Sequence, residues 1–235
     1  MSTVRVVSLV PSVSETLRRW GIEPVAVTRF CEQPDLPTVG GTKDPDVAAI
    51  VALAPDVVVV NDEENRRDDA DALTAAGLVL HVTHVHTLAD VDPMLAALAR
   101  AVGVDEPVPV LAATMLAVPR PPASPTRTAF VPIWRRPWMT CNRDTYGMSM
   151  LRALGVRGAF DDAPDRFPTV TLSDAAAARP DLVLLPSEPY PFAERHVAEL
   201  RAVADDVRLL DGRDLFWWGA RTGEALDRLG QLLGS

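Results

Sequence analysis

Short β-branched runs alternate along the chain with longer stretches of helical periodicity, and each run closes on turn residues. That alternation predicts strands joined by crossover helices, an α/β fold with mainly parallel sheets. Val4 to Val10 reads as a buried strand. In the following Pro11-Ser12-Val13-Ser14-Glu15, Ser12 is placed to cap a helix running to Trp20, with Pro11 just outside it and Gly21 as its stop. A short strand is predicted at Val25 to Val27, a helix over Asp46 to Ala54, and a turn at Pro55-Asp56. Val57 to Val60 shows no alternation, so this strand should be covered on both faces. Asp68 to Ala76 reads as helix with Gly77 as its stop, and Leu78 to Val82 as the next strand. Leu88, Val91, Leu95, Leu98 and Val102 recur three and four apart and predict an amphipathic helix.

The pattern then breaks. Between Asp105 and Thr128 six prolines surround one short helical stretch, Val110 to Val118, which marks a connector between an N-terminal lobe, residues 1–104, and a C-terminal lobe, residues 129–235. The second lobe opens with a strand at Ala129 to Ile133 and repeats features of the first. Leu17-Arg18-Arg19-Trp20-Gly21-Ile22 is echoed by Leu151-Arg152-Ala153-Leu154-Gly155-Val156, and Pro55-Asp56 before a strand by Pro180-Asp181 before Leu182 to Leu185. Offsets of 134 and 125 residues fit one duplication with a small length change. Two such lobes would present the carboxyl ends of their strands to a shared crevice, where ligands of open α/β sheets bind.

Composition narrows the function classes. The 235 residues are enough for a core without metal or disulfide staples, and 48% apolar with 23% charged residues is ordinary globular usage. A net charge of −9 argues against general binding to a phosphate backbone, so nucleic acid is not an expected partner. Cys31 and Cys141 allow at most one internal disulfide and no four-thiolate metal site. The apolar stretch Val6 to Val10 is too short for a secretory signal or a membrane span, so the chain as written reads as cytoplasmic, or as periplasmic or lipid-anchored outside the cell if a leader has been trimmed. The sequence contains no glycine-rich nucleotide fingerprint, P-loop, paired-histidine zinc-protease helix or nucleophile elbow, and gives catalysis no support.

Several segments together carry a family resemblance: Arg5-Val6-Val7-Ser8-Leu9-Val10-Pro11-Ser12 with Glu15, Phe30-Cys31 before Pro34, Val39-Gly40-Gly41, and Ala54-Pro55-Asp56-Val57-Val58-Val59. With Thr145 to Gly155, Pro180-Asp181-Leu182-Val183-Leu184 and Leu215 to Leu233, they make the chain resemble the helical-backbone periplasmic binding proteins, the receptors that deliver cobalamin and ferric siderophores to ABC importers. The resemblance implies two lobes, little hinge motion, a corrinoid or metal chelate as ligand, and an ABC transporter permease as partner, with no insertion into the membrane. The chain departs from the family in showing no leader and in its connector. Val110 to Val118 would span only about 14 Å as a helix, so docking onto a transporter is less secure than ligand capture.

Candidate chemistry lies after the predicted strands. Ser12, Arg29 and Cys31 follow the first two. Asn61-Asp62-Glu63-Glu64-Asn65-Arg66-Arg67 follows the third, where Glu63, Glu64 or Arg66 can hold a charged ligand; the alternative is a solvated helix start. His84 and His86 share one side of an extended segment and are candidate metal ligands, with Cys31 or a glutamate of the 63–64 pair as a third donor. A thiolate contact from Cys31 or Cys141 to a soft metal or cobalt is a further option. In the second lobe, Trp134, Trp138, Arg143, Asp144 and Tyr146 fall within thirteen residues that hold two of the five tryptophans and three arginines, a set suited to a flat or anionic organic ligand. Packing of both tryptophans under the lobe is the alternative, and Asn142 can serve as a helix cap. Glu188 and Tyr190 sit on a proline-stiffened loop after another strand. The resemblance implies that Trp217 or Trp218 lines the pocket, with one of the pair in the core, and Arg221 follows them. The reading is a non-catalytic small-molecule binder; the competing one is an enzyme using Glu63, Glu64 or His84 as acid or base.

Overall fold

The structure is a computed structural model that describes residues 4–104 and 125–234. The helix expected over Val110 to Val118 lies outside the described residues. The described chain forms two compact units. The first runs to Val85, resumes at Ala89, and includes Trp218–Ala220; the second holds the rest, including His86–Leu88.

In the first unit, β1 (Val6–Ser8), β2 (Ala26–Val27), β3 (Val57–Asn61) and β4 (Leu80–Thr83) form a parallel sheet of order β2-β1-β3-β4. Its helices are α1 (Pro11–Arg19), α2 (Val47–Ala52), α3 (Arg67–Ala75) and α4 (Val91–Ala101). In register, Val7 pairs with Ala26 and Val58, and this face packs with Ile50 of α2 and Leu73 of α3 into one core cluster. Val57 to Val60 are all buried, as the unbroken valine run predicts for a strand covered on both faces. Each fully buried Val or Leu here contributes roughly 1.5–3 kcal/mol.

In the second unit, β5 (Arg127–Phe130), β7 (Val156–Gly158), β9 (Leu182–Pro186) and β10 (Val207–Leu210) form a parallel sheet of order β10-β9-β5-β7. A small antiparallel pair, β6 (Trp138–Met139) with β8 (Thr169–Val170), is appended. The helices are α5 (Tyr146–Ala153), α6 (Leu172–Ala177), α7 (Val197–Leu200), α8 (Gly212–Phe216) and α9 (Thr222–Leu233). Phe130 lies opposite Val183 and packs with Leu185, Phe192, Val197 and Leu200.

The two sheets share one topology: β5, β7, β9 and β10 take the places of β1, β2, β3 and β4. The duplicated strings of the sequence carry equal structural duties. α1 and α5 both end on a glycine at φ +77, Gly21 and Gly155, each donating its N–H back into the last turn, to Arg18 O and Arg152 O. Glycine takes this left-handed conformation without the Cβ clash that other residues meet. Ahead of β3 and β9, Asp56 and Asp181 each use a carboxylate to accept a backbone N–H from the start of the neighbouring strand, Arg5 N at 2.7 Å and Thr128 N at 2.6 Å. Their own N–H groups donate to the carbonyls of the same two residues.

Two caps differ from expectation. Pro11 is the first residue of α1 and Val10 its N-cap, so Ser12 lies within the helix; among the described residues no hydrogen-bond partner is found for its buried Oγ. A proline suits that position because its fixed φ is helical and its missing N–H is one that the first turn leaves unpaired. Asn142 does not cap α5, whose N-cap is Thr145. Its Oδ1 accepts the Asp144 N–H at 2.8 Å, and its Nδ2 donates to Ala163 O. Among the described residues, no helix is long and apolar enough to cross a membrane.

Candidate ligand-binding site

Because each sheet is parallel, all its strands discharge at one edge, and the unusual polar residues collect there. At that edge of the first unit the third and fourth strands are held by two asparagines. Buried Asn61 accepts the N–H groups of Glu63 and Glu64 on Oδ1, at 2.9 and 3.1 Å, and donates from Nδ2 to Thr83 Oγ1. Asn65 accepts the Asn61 N–H at 2.7 Å and donates to Leu9 O and Thr42 O, tying the exit of β1 to that of β3. Residues 62–65 thereby form a tight turn before α3, whose first turn carries Asp68 and Asp69. Glu63 and Glu64 are therefore not the acidic opening of the helix. Glu63 is exposed, its carbonyl accepts Lys43 Nζ at 2.6 Å, and Glu64 is half-buried.

Parallel register sets Asn61 opposite Thr83, so Asp62 and His84 leave adjacent strands side by side, and His84 Nδ1 meets Asp62 Oδ2 in a short hydrogen bond. At the β2 exit, Arg29 pairs with Asp44 at 2.8 Å and lies 4.9 Å from the ring centre of Phe30, which is 53% exposed. Arg66 is exposed at the N-cap of α3, facing Asp68 and Asp69.

Cys31 is buried behind this edge, in contact with Ser14 Oγ at 3.1 Å and Thr28 Oγ1 at 3.3 Å. Burial raises its pKa against the opposing pull of these hydroxyls. Cys141 is buried more completely and its pKa is pushed up to about 12. Both thiols are free, and neither environment favours the thiolate that a soft metal or cobalt contact needs.

In the second unit, Trp134 (43% exposed) follows β5 and meets half-buried Tyr190, after β9, edge-to-face at 5.6 Å. Glu188 lies on the same β9 exit, where its backbone abuts Gly212 after β10. Behind them, Trp138 stacks on buried Phe192, 5.9 Å between ring centres, and Arg135 donates to Glu199. Trp138 is thus packed beside the core, whereas Trp134 keeps an exposed face. Arg143 pairs with Asp162 and donates to Asp161 O, and Asp144 is exposed, its carbonyl taken by Arg166.

Three nominated residues of the second unit or its flank are interior. Tyr146 is buried with its hydroxyl on Thr222, and its pKa is raised well beyond the phenol range by that burial. Arg221 is nine-tenths buried, donates to Asp214, and lies 5.6 Å from the ring centre of half-buried Trp217. Trp218 is buried, next to Gly219-Ala220, whose Ala220 N–H donates to Thr16 Oγ1 of α1. Burial removes these three, with Ser12 and Cys31, from the groups open to a ligand in this structure. The first-unit edge therefore gathers Arg29, Phe30, Asp62, Glu63, Glu64 and His84; the second-unit edge offers Trp134, Glu188 and Tyr190. Phe30 and Asp62 were not singled out from the sequence. Their signals were an aromatic three residues after a short strand and the second residue beyond a valine run.

The fold, two similar parallel α/β units, is one shared with solved periplasmic binding proteins. Among solved structures the chain is similar to the periplasmic vitamin B12 binding protein BtuF of Vibrio cholerae, with 17% identity, TM-score 0.81, and coverage of 99% of this chain and 97% of that one. It is equally similar to the periplasmic heme-binding protein BhuT in complex with two hemes, at 23% identity, TM-score 0.81, and 99% and 98% coverage. The periplasmic heme binding protein HutB of Vibrio cholerae matches at 19% identity and TM-score 0.81 over the whole of both chains. No protein-family model and no curated protein matches the chain.

Proposed function

We propose that this protein is a non-catalytic capture protein for a metal-bearing small molecule of the corrinoid, heme or iron-chelate class, acting as the receptor of an ABC importer. The observation that carries this reading is the end-to-end likeness to structures named as B12 and heme binding proteins. The exposed aromatic and charged groups at the strand exits agree with it, since flat macrocycles with acidic substituents are held by stacking and by charged hydrogen bonds. In this reading Phe30 supplies an apolar face and Arg29 a cation at the strand exits of the first unit, with Glu63 and Glu64 beside them, and Trp134, Glu188 and Tyr190 are the groups that the second unit offers. A receptor of this kind works on the outer side of the membrane, where the named neighbours are periplasmic.

The test is direct titration with haemin, cyanocobalamin and a ferric siderophore, read by tryptophan quenching and by a rise in melting temperature. One of the three should bind and be recovered unchanged. Phe30→Ala and Trp134→Ala should each weaken capture about tenfold, the equivalent of about 1.4 kcal/mol. Binding of none of them up to about millimolar concentration, or recovery of a chemically altered ligand, would overturn the proposal, the second outcome in favour of an enzyme using Glu63, Glu64 or His84.

A further inference from the structure

Asp62, His84 and His86 each bring a ligand atom to within 4.8 Å of the other two. Local backbone geometry produces this. Asp62 and His84 follow the paired residues Asn61 and Thr83 of two parallel strands, and the Asp62 N–H donates to Thr83 O at 3.2 Å. His84-Val85-His86 is one short segment leaving β4, which places the second imidazole two residues beyond the first.

We propose that these three side chains bind a divalent transition-metal ion directly, as a free ion and not as part of a chelate. Two imidazole nitrogens and one carboxylate oxygen form a borderline donor set. It suits Zn²⁺, Fe²⁺, Co²⁺ or Ni²⁺ and not the all-oxygen preference of Ca²⁺ or Mg²⁺. Around a tetrahedral Zn²⁺, such donors stand about 3.4 Å apart, so the existing spacing closes with small side-chain rotations. Three protein donors leave the fourth position open to water or to an anionic group. Where the His84–Asp62 hydrogen bond now lies, the ion would sit between nitrogen and carboxylate, and a proton held there passes to buffer on loading. His86 Nε2 accepts from Arg166 at 3.1 Å, so the guanidinium competes with an ion for that nitrogen. The site lies on the edge assigned above to ligand capture but does not require that assignment.

Chelator-stripped full-length protein titrated with Zn²⁺ by calorimetry, and with Co²⁺ by its ligand-field absorption, should bind one ion. Asp62→Asn, His84→Ala and His86→Ala should each weaken binding by about tenfold or more, while Arg166→Gln should tighten it. His81→Gln, a histidine of the same strand outside the cluster, should leave it unchanged. Unchanged Zn²⁺ affinity in the first three variants, or equal loss in His81→Gln, would overturn the site. Haemin and cyanocobalamin titrations on the same preparations separate the two proposals. Zn²⁺ binding that depends on these residues in a protein that takes up no chelate leaves the ion site standing and removes the receptor reading.

Discussion

The clearest energetic test lies in the second unit, where Asp214 sits beneath the start of α9. Its carboxylate is only 7% exposed and accepts from Arg221 at 3.0 Å and from both Nε and Nη2 of Arg228 at 2.8 and 2.7 Å. The two arginines differ sharply in setting, with side-chain exposures of 10% for Arg221 and 46% for Arg228. Replacing Asp214 by Ala removes a carboxylate partner from a guanidinium held out of water, which costs about 3–5 kcal/mol. Arg228→Gln breaks a pair whose cation is already half in water and should cost at most about 1 kcal/mol. Urea titration followed by tryptophan fluorescence reads both as midpoint shifts at unchanged slope. With a slope of about 3 kcal/mol/M, Asp214→Ala should move the midpoint by about 1–2 M and Arg228→Gln by a few tenths. A loss in Asp214→Ala no larger than in Arg228→Gln would refute the reasoning, because burial of Arg221 would then carry no penalty.

Two more predictions follow from the fold. Asp56→Ala and Asp181→Ala each remove one charged acceptor of a strand-entry N–H and should each cost about 1–2 kcal/mol; they share no partner, so the double variant should show the sum in urea midpoints. Cys141, its pKa raised to about 12 by burial, favours folding fully while thiols are protonated in the unfolded chain. As pH rises above the ordinary thiol range the unfolded state loses its proton first, so stability falls by about 1.4 kcal/mol per pH unit toward about pH 12. Cys141→Ala should flatten that decline between about pH 9 and about pH 10 in urea midpoints, and an unchanged slope would contradict it.

The sheets were legible because their signals are local. Val57 to Val60 needs cover on two faces whatever surrounds it, and Gly21 or Gly155 ends a helix through its own backbone freedom. Pro-Asp before a strand was visible twice, although what it does was not. The carboxylates reach the N–H groups of Arg5 and Thr128, about fifty residues away in sequence, and the preceding Ala54 and Arg179 adopt φ of 44° and 49°, which nothing in those residue types announces. The same distance hid the fate of the Trp134 to Tyr146 segment. Its density of tryptophan and arginine was read as ligand chemistry, but Trp138 finds Phe192 and Arg135 finds Glu199, partners that only the folded β9–α7 region supplies. Asp62 was passed over for Glu63 and Glu64 because choosing among consecutive acidic residues depends on the β3–β4 register, which a run of valines leaves open.

What the two units share and where they part bears on function. The shared features are the strand order, the glycine stop and the aspartate that pins a strand entry, all of which serve to close a parallel sheet. None of them lies at a carboxyl edge. The edges have diverged completely: asparagines, carboxylates and imidazole after β3 and β4, and an aromatic pair with a glutamate after β5 and β9. If these exits only closed the fold, the two copies would have needed the same residues there, as they did at the strand entries. Their difference marks the exits as positions released from that shared demand, which is where loop-borne functional residues sit on a fold of this kind.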